Sequence, residues 1–213
     1  MSTQNRKQRE FERRGQDILD AALSLFQADD WEHVTVDAIA RKSDVAKGTV
    51  YKHFASKDEI YARLAMRFQR EIALEAAGID KASLPLLERF RQHIQVAWNR
   101  HLSSKALHRV FMYCNRPEFR SRLEPSVLQE LEAIAEAEAQ SGIAFLTQGI
   151  EQGIFPRKPI PEMLFGIQAA VWGGIQLVWS GYLGEIDKAK YLDELTKFLL
   201  AGLIHSDKPL PKS

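Results

Sequence analysis

Residues 35–57 read TVDAIARKSDVAKGTVYKHFASK, and this stretch decides the fold. Thr35 is a good N-cap for a short helix, Ser43–Asp44 forms a turn, and a second short helix follows from about Ala46 to His53. Both helices are too short to be stable alone, so neighbouring helices must hold them. The residues that can supply this small core are Val36, Ile39, Ala40, Val45, Val50 and Phe54. The stretch therefore predicts a helix-turn-helix.

The second short helix is expected to expose a basic, hydroxyl-bearing and aromatic face without an acid. This face consists of Lys47, Gly48, Thr49, Tyr51, Lys52 and His53. A helix with such a face fits the major groove of DNA, where its N-terminal residues reach the edges of the bases. For Tyr51 and His53 the alternative is packing against the first helix.

Charge is concentrated around the same region. The whole chain of 213 residues has a net charge of only +1. Residues 1–14 contain five basic and two acidic residues, and residues 41–57 contain five basic residues and one acid, which leaves the rest of the chain net acidic. Two basic clusters on a balanced chain indicate one face that meets a polyanion.

Helical periodicity dominates the remaining sequence, and strand signals are nearly absent. We predict an all-α fold of about nine helices. The first begins near Arg9, after a flexible arm that extends to about Gln8, and the tail from Ser206 is expected to be disordered. The later helices are predicted at 56–78, 84–102, 104–115, 125–152, 161–183 and 187–204. The predicted domains are a helix-turn-helix DNA-binding domain at 9–57 and a C-terminal helical bundle at 58–205.

Residues 9–64 resemble the tetracycline-repressor (TetR) family of bacterial regulators. The resemblance is carried by VTVDAIARKSDVAKGTVYKHFASKDEIYARL, which joins the run A-x-x-x-V-x-K-G-T-x-Y-x-H-F to the S-K-D-E start of the next helix. It implies a homodimeric repressor that places two recognition helices in successive major grooves of a pseudo-palindromic operator. The half-sites would then lie one DNA turn apart, or a multiple of that distance.

The resemblance also implies roles for individual residues. Lys47, Gly48 and Thr49 match residues that approach bases, and Lys47 is the best candidate for a guanine edge. Four other positions match phosphate contacts, and they are Thr35, Tyr51, His53 and Lys57. Lys52 lies where family members vary, and it is expected to touch either the backbone or a base.

The stretch from Met163 to Leu183 has no charge over a length that would span a bilayer. Gln168, Gln176, Ser180 and the lack of basic flanks argue against a membrane span. The preferred interpretation is a helix buried against its own domain and a partner subunit. The predicted dimer interface combines small residues spaced by four with apolar residues of the last helix: Gly166, Ala170, Gly174, Tyr191, Leu195, Leu199 and Leu203.

The family resemblance implies a small effector that binds inside the C-terminal bundle and releases the DNA. Apolar and aromatic candidates for its pocket are Phe90, His93, Trp98, Phe111, Met112, Phe145, Phe165, Trp172 and Trp179. They indicate an apolar or aromatic effector, although each is also an ordinary core residue type. A second hypothesis makes the bundle a protein-interaction module without an effector. An enclosed apolar cavity would favour the first hypothesis, and a solid core the second.

No catalytic constellation, cofactor motif or metal site is found. His93, His101 and His108 are two helical turns apart, roughly 11 Å by helix rise, which is too far for one metal unless the helix breaks near Ser103–Ser104. Cys114 is a single cysteine, and a small buried hydrophobe is the preferred interpretation over a sensor thiol. With no internal disulfide and no signal peptide at the polar start, the chain is expected to be a cytoplasmic, bacterial, non-enzymatic protein.

Overall fold

The computed structural model describes residues 3–182, 184–185 and 187–205. Within these ranges the chain forms α-helices and no β-strand, so the predicted all-α fold is confirmed. A single 3₁₀ turn lies at Trp31–His33. The helices are α1 (Thr3–Leu25), α2 (Val36–Lys42), α3 (Lys47–His53), α4 (Lys57–Asp80), α5 (Leu86–Ser103), α6 (Lys105–Cys114), α7 (Pro117–Arg120), α8 (Pro125–Glu151), α9 (Ile160–Ser180) and α10 (Lys188–Ile204).

All nine predicted helices are present, and α7 is an addition. This helix has only four residues, so it contains too little sequence for a periodic pattern to show. Pro117 at its first position is favourable there, because that residue needs no backbone N–H partner. Phe119 is its buried residue and anchors it.

The first helix begins earlier than predicted. Residues 3–8, expected to be a flexible arm, belong to α1. Gln and Arg residues have good helix propensity, and the Gln8 side-chain amide donates to the carboxylate of Glu12 at 2.9 Å, one turn later. Met1, Ser2 and the predicted disordered tail from Ser206 lie outside the described residues.

The chain divides into two compact units. Unit 1 contains the residues up to Gln69 together with Ser104–Glu132, and unit 2 contains Arg70–Ser103 and the residues from Ala133 onward. The predicted boundary at residue 57 separates a DNA-binding domain from a C-terminal domain by function, and it stays a prediction. The two compact units are divided differently, because α6, α7 and the start of α8 belong to the same unit as the helix-turn-helix.

Unit 1 is held by a core of aliphatic and aromatic side chains from α1 to α4. Ile18, Ile39, Val50, Ile60 and Leu64 are fully buried. An aromatic cluster extends this core towards α6 and α7, and its members are Phe26, Trp31, Tyr61, Tyr113 and Phe119. Two ion pairs fix α6 and the end of α7 to this body: Arg109 with Asp29 at 2.9 Å and Arg122 with Asp58 at 2.9 Å.

Unit 2 has its own core, formed by α5, α8, α9 and α10. The buried members are Leu86, Phe90, Ile94, Trp98, Leu146, Phe155, Met163, Val171, Ile175, Leu192, Leu199 and Leu203. The packing is close at Gly149, where an added Cβ would lie 2.1 Å from the Phe155 ring. A side chain larger than hydrogen does not fit at that position.

The outward faces of α9 and α10 differ from those predicted for the dimer interface. Leu199 and Leu203 are buried in the core of their own chain, and Leu195 packs against it. Gly174 lies against Trp98, since an added Cβ would be 3.0 Å from Cζ3 of that indole. These four residues serve packing within the chain. Of the remaining candidates, Ala170 is half-buried, whereas Gly166 and Tyr191 are exposed.

The exposed apolar residues lie one position away in sequence. On α9 they are Phe165, Ala169, Gly173 and Leu177, and on α10 they are Phe198, Ala201 and Gly202. A shift of one residue rotates a helix face by about 100°. The exposed apolar residues of both helices are therefore offset by one position from most of the predicted contact residues, and Gly174 serves a contact inside the chain. The dimer interface itself stays a prediction.

Helix α9 is long and apolar enough to cross a membrane by length and composition alone, and it is the one such helix among the described residues. Only Met163, Val171 and Ile175 of its residues are fully buried within the chain. It ends at Gly181, whose φ of +67° is a left-handed conformation that favours glycine, rather than at the predicted residue 183. Leu183 lies outside the described residues.

Candidate nucleic-acid interface

The turn between α2 and α3 is fixed by local hydrogen bonds. Thr35 caps α2 because its Oγ1 accepts from the Ala38 backbone N–H at 3.2 Å. The helix ends at Ser43, whose hydroxyl donates to the Ile39 carbonyl at 2.8 Å. Asp44 then adopts a φ of +53°, a left-handed conformation that Asp tolerates better than most residues. This residue reverses the chain, so that α3 can begin at Lys47.

Helix α3 is oriented by the residues that it buries. Val50 is fully buried, and Phe54, directly after the helix, is nearly so. The residues around Val50 on the other sides of the helix therefore point outward. Lys47, Gly48, Tyr51 and Lys52 are exposed, whereas Thr49 and His53 are half-buried. Six of the eight predicted DNA-contacting residues thus lie on α3, while Thr35 caps α2 and Lys57 begins α4.

The base-contact candidate Lys47 has a partner inside the chain. Its Nζ lies 2.8 Å from the Asp37 carboxylate on α2, and both side chains are more than half exposed. The hydrogen bond and charge of Asp37 raise the pKa of Lys47, so the ammonium stays charged. Sequence reasoning missed Asp37, since nothing in the spacing of two exposed residues ten positions apart shows that they meet.

Gly48 has no structural reason within the chain to be glycine. An added Cβ would find no heavy atom within 4 Å, and the residue sits in the first turn of a helix, where glycine is unfavourable. Gly149 in unit 2 is the opposite case, because its own core leaves no space there. The open space in front of Gly48 would allow another molecule to approach the backbone of α3 closely.

The two aromatic candidates on α3 are placed differently. Tyr51 is 48% exposed, whereas the His53 ring stacks on Phe11 of α1 with 3.9 Å between centroids and 21° between planes. Burial and the nearby charge of Arg14 lower the pKa of His53. In the free protein, His53 therefore packs against α1, which was the alternative to a DNA contact, whereas Tyr51 does not pack there.

Lys57 at the start of α4 donates hydrogen bonds to backbone carbonyls. Its ammonium donates to the carbonyl oxygens of Glu32 at 2.7 Å and Val34 at 3.1 Å, beside the first residues of α2. Desolvation lowers the pKa of Lys57, although Asp58 and Glu32 act in the opposite direction. An ammonium has three donors, so a third remains for another acceptor. Lys57 therefore positions the entrance to α2 and still faces a possible phosphate.

Only two acids occur between residues 35 and 57, Asp37 and Asp44. Basic side chains end α2 at Arg41 and Lys42 and end α3 at Lys52 and His53. Cations near helix C-termini also complement the helix dipole, so part of this charge stabilises the helices themselves. The exposed remainder gives the helix-turn-helix a positive surface suited to a polyanion.

The effector candidates are not brought together. Phe111 and Met112 lie in unit 1, where Phe111 packs on Phe68 and Met112 is 40% exposed. Phe165 is 74% exposed on α9, so it does not line the inside of the bundle. In unit 2, Phe90 and His93 lie near Phe145, at 5.8 and 6.0 Å between ring centroids, while Trp172 lies 5.0 Å from His101.

Two clefts are found in unit 2. Both are open to solvent and lie along α5, with volumes of about 480 and 520 Å³. Trp98 is the one predicted pocket residue among their lining residues. Trp179, also a candidate, donates from Nε1 to the His101 carbonyl at 3.2 Å.

Within the part of the chain that the structure describes, no three His, Cys, Asp or Glu side chains are grouped so that they could hold a metal ion. His93 lies 3.1 Å from Asp80, while His101 and His108 are buried. Cys114 is buried in unit 1, and burial raises the pKa of its thiol, which makes it a poor nucleophile.

Comparison with known proteins agrees with this architecture. Residues 18–64 match the bacterial regulatory proteins of the tetR family. The HTH-type transcriptional regulator YhgD of Bacillus subtilis is 24% identical over 87% of this chain and 94% of its own length. The repressor KstR of Rhodococcus jostii is 34% identical over 46% of this chain and 47% of its own. The solved structure of the TetR-family regulator PfmR from Thermus thermophilus has a TM-score of 0.71 at 18% identity, and covers 87% of this chain and 98% of that one.

The fold and the helix-turn-helix define a class, the DNA-binding transcriptional regulators. Within that class, the domain at residues 18–64 matches the tetR family of bacterial regulatory proteins. The resemblance seen in the sequence is thereby confirmed for the DNA-binding part. The similar proteins named above are transcriptional regulators rather than enzymes.

Proposed function

We propose that this chain is a homodimeric, cytoplasmic repressor that binds a pseudo-palindromic operator in double-stranded DNA and is released by a small effector. Lys47, Gly48 and Thr49 contact bases, and Lys52 touches either a base or the backbone. The phosphate contacts are Thr35, Tyr51, His53 and Lys57. The assignment to repression is supported by the name of the related repressor KstR.

The single observation that carries the proposal is the exposed face of α3. It has a glycine with nothing in front of it, a lysine and a tyrosine that point outward, and no acid of its own. A packing role explains none of these features. A helix that approaches bases needs all three, because a small residue lets the backbone come close and donors reach the base edges.

Dimer formation is supported by the outward faces of α9 and α10. Phe165 is 74% exposed and Phe198 is 72% exposed, and small residues lie near each of them along the same helices. Gly166, Gly173 and Gly202 all have open space in front of them, so another helix can approach closely. Two such faces related by a two-fold axis make an isologous four-helix contact, which matches the symmetry of a palindromic operator.

Release by an effector follows if the ligand binds better to the state that does not fit the operator. Open clefts of suitable size in unit 2 support such a ligand, since small-molecule sites span about 300–1,000 Å³. In the competing proposal the bundle is a protein-interaction module without an effector. The response of DNA binding to small molecules distinguishes the two proposals.

The test is binding of the purified protein to the DNA upstream of its own coding sequence, in the absence of detergent. We expect nanomolar to micromolar binding by a dimer, and loss of binding when a small molecule from an apolar and aromatic panel is added. Binding that no compound disturbs favours the interaction module. A protein that stays in solution only with detergent favours a membrane role for α9.

A further inference from the structure

The cleft between α5 and α10 in unit 2 has the features of a ligand site. Its volume is about 480 Å³. It is lined by one buried aromatic residue, several polar side chains and an apolar wall. The apolar wall comes from Leu102, Ala189 and Leu192. Sequence analysis assigned only Trp98 of its lining to a ligand.

Trp98, one of the residues that line this cleft, has an unpartnered donor. The side chain is 2% exposed, and its Nε1 finds no hydrogen-bond acceptor among the described residues. The indole packs with its six-membered ring against Gly174 of α9. An indole N–H is a donor only, and burying a donor without an acceptor is destabilising. A ligand that brings an acceptor into the cleft would remove this cost.

The charged groups of the cleft favour an anion. Lys188 is exposed at the start of α10, with its ammonium 5.8 Å from the Trp179 ring centroid. Among the described residues, no carboxylate lies within ion-pair distance of it. Arg91 pairs with Asp193 at 3.0 Å, and Asp193 is shared with Lys197 at 2.6 Å. Arg91 also lies 3.9 Å from Glu88, and Lys197, outside the lining, also pairs with Glu194 at 3.0 Å. Among the lining residues, Lys188 is thus the cation whose charge is not offset by an ion pair.

The neighbouring cleft on the other side of α5 has the opposite character. Its volume is about 520 Å³, and Glu75 and Glu88 are among its lining residues. Its one arginine, Arg100, already pairs with Glu75 and with Glu71. An anion would meet repulsion there, so size alone does not select the α5–α10 cleft.

We infer that the α5–α10 cleft binds a small amphipathic carboxylate, whose charge lies near Lys188 and whose body packs on the apolar wall. The carboxylate is the acceptor that Trp98 lacks in the free protein. The inference rests on the proposed function in one respect, since it makes this molecule the effector that releases DNA.

The experiment uses two matched pairs of probes, octanoate with octanamide and benzoate with benzamide. Each pair shares its apolar body and differs in charge. Binding to the full chain is measured by titration calorimetry, and release of upstream DNA by fluorescence anisotropy. We expect at least one carboxylate to bind at least tenfold more tightly than its amide and to release the DNA.

Two variants locate the site. Lys188→Gln should remove the preference for carboxylate over amide, whereas Lys190→Gln, an equal loss of charge two residues away on the same helix and outside the cleft, should keep it. Trp98→Phe should weaken carboxylate binding, with circular dichroism to verify that the helices remain.

Carboxylate and amide binding equally, neither carboxylate binding at millimolar concentration, or equal behaviour of the two lysine variants overturns the inference. If calorimetry shows the expected pattern but the DNA stays bound, the role as effector is overturned. A protein that binds no DNA contradicts the proposed function, and calorimetry still decides the carboxylate site.

Discussion

The exposed face of α3 and the exposed faces of α9 and α10 are both accessible in the single chain, but their chemistry is opposite. The face of α3 carries lysines, a tyrosine hydroxyl and an open glycine. The faces of α9 and α10 carry phenylalanines, alanines and glycines. A polar, basic face is suited to bind a polyanion, whereas an apolar face is suited to pack on another apolar surface. This difference indicates two separate partners, which we propose are DNA and a second copy of the chain.

The largest expected effect comes from placing a charge on the apolar face. Phe165→Asp or Phe198→Asp should give a monomer, because a carboxylate would be buried in the subunit contact. Two linked half-site contacts exceed one by roughly 10²–10⁴-fold in affinity, so operator binding should fall by that order. Sedimentation and operator binding are the measurements.

Leu74→Asp is the matched control, because Leu74 on α4 is 74% exposed, the same fraction as Phe165. It should remain dimeric. Equal loss of the dimer in this variant would mean that the α9 and α10 faces are not the specific contact.

Changes at the basic face should alter sequence preference rather than assembly. Lys47→Ala should lose roughly 1–3 kcal/mol of discrimination at one base position, since a lysine at a guanine edge reads that base. Tyr51→Phe should weaken binding to all sequences alike, because it removes a phosphate contact. Selection of binding sites from random DNA measures both. An unchanged preference for Lys47→Ala contradicts the base contact.

Gly48→Ala should change the stability of the protein and its affinity for DNA in opposite directions. Alanine in a helix is favoured over glycine by roughly 0.5–1 kcal/mol, and the added methyl meets nothing within the chain, so the melting temperature should rise. Operator affinity should nevertheless fall by about tenfold, equal to about 1.4 kcal/mol, because the methyl occupies the approach to DNA. An affinity that rises with the stability would show that DNA does not come close at this residue.

A smaller effect is expected from the partner of Lys47. Asp37→Asn frees the lysine and removes a negative charge, so affinity for DNA of any sequence should rise by up to about fivefold, as an exposed ion pair is worth about 0–1 kcal/mol. Asp44→Asn changes the net charge equally without freeing a lysine, and Asn tolerates the left-handed conformation of Asp44. Anisotropy at low salt should show the larger gain for Asp37→Asn.

The smallest effect concerns pH and the packing of His53. Since its pKa is lowered in the folded chain, the unfolded chain binds the proton more readily, and stability is lost as the pH falls through the unfolded value of about 6.5. His53→Phe keeps a ring to stack on Phe11 and cannot titrate. Between pH 8 and pH 5 the melting temperature should decrease less steeply in this variant than in the wild type. If the melting temperatures of variant and wild type decrease in parallel with pH, the burial of His53 is contradicted.

The helix-turn-helix could be predicted from sequence because its signals are local. The cap at Thr35, the turn at Ser43 and Asp44, and the core positions Val50 and Phe54 lie within one short stretch. The phase of α9 could not, because a stretch without charge looks buried on every face. Whether Gly174 packs on Trp98 or on another subunit depends on a contact between residues that are distant in sequence.

The placement of the predicted effector residues could not be read from the sequence for a related reason. Phe111, Met112 and Phe165 were selected by residue type, and type does not distinguish a core ring from an exposed one. The α5–α10 cleft depends on polar residues such as Gln95 and Asn99, which have no periodic signal of their own. Side chains from two helices that are distant in the chain meet there, as Arg91 and Asp193 do at 102 residues apart, and such pairs leave no signal in a single sequence.

The measurement that tests the central claim most directly is the stoichiometry of the purified chain on its upstream DNA, by sedimentation of the complex. Two copies per operator, or a multiple of two, with protected half-sites one DNA turn or a multiple apart, are the predicted result. A single copy that protects one continuous site would contradict the account, since the apolar faces of α9 and α10 would then not pair two reading heads.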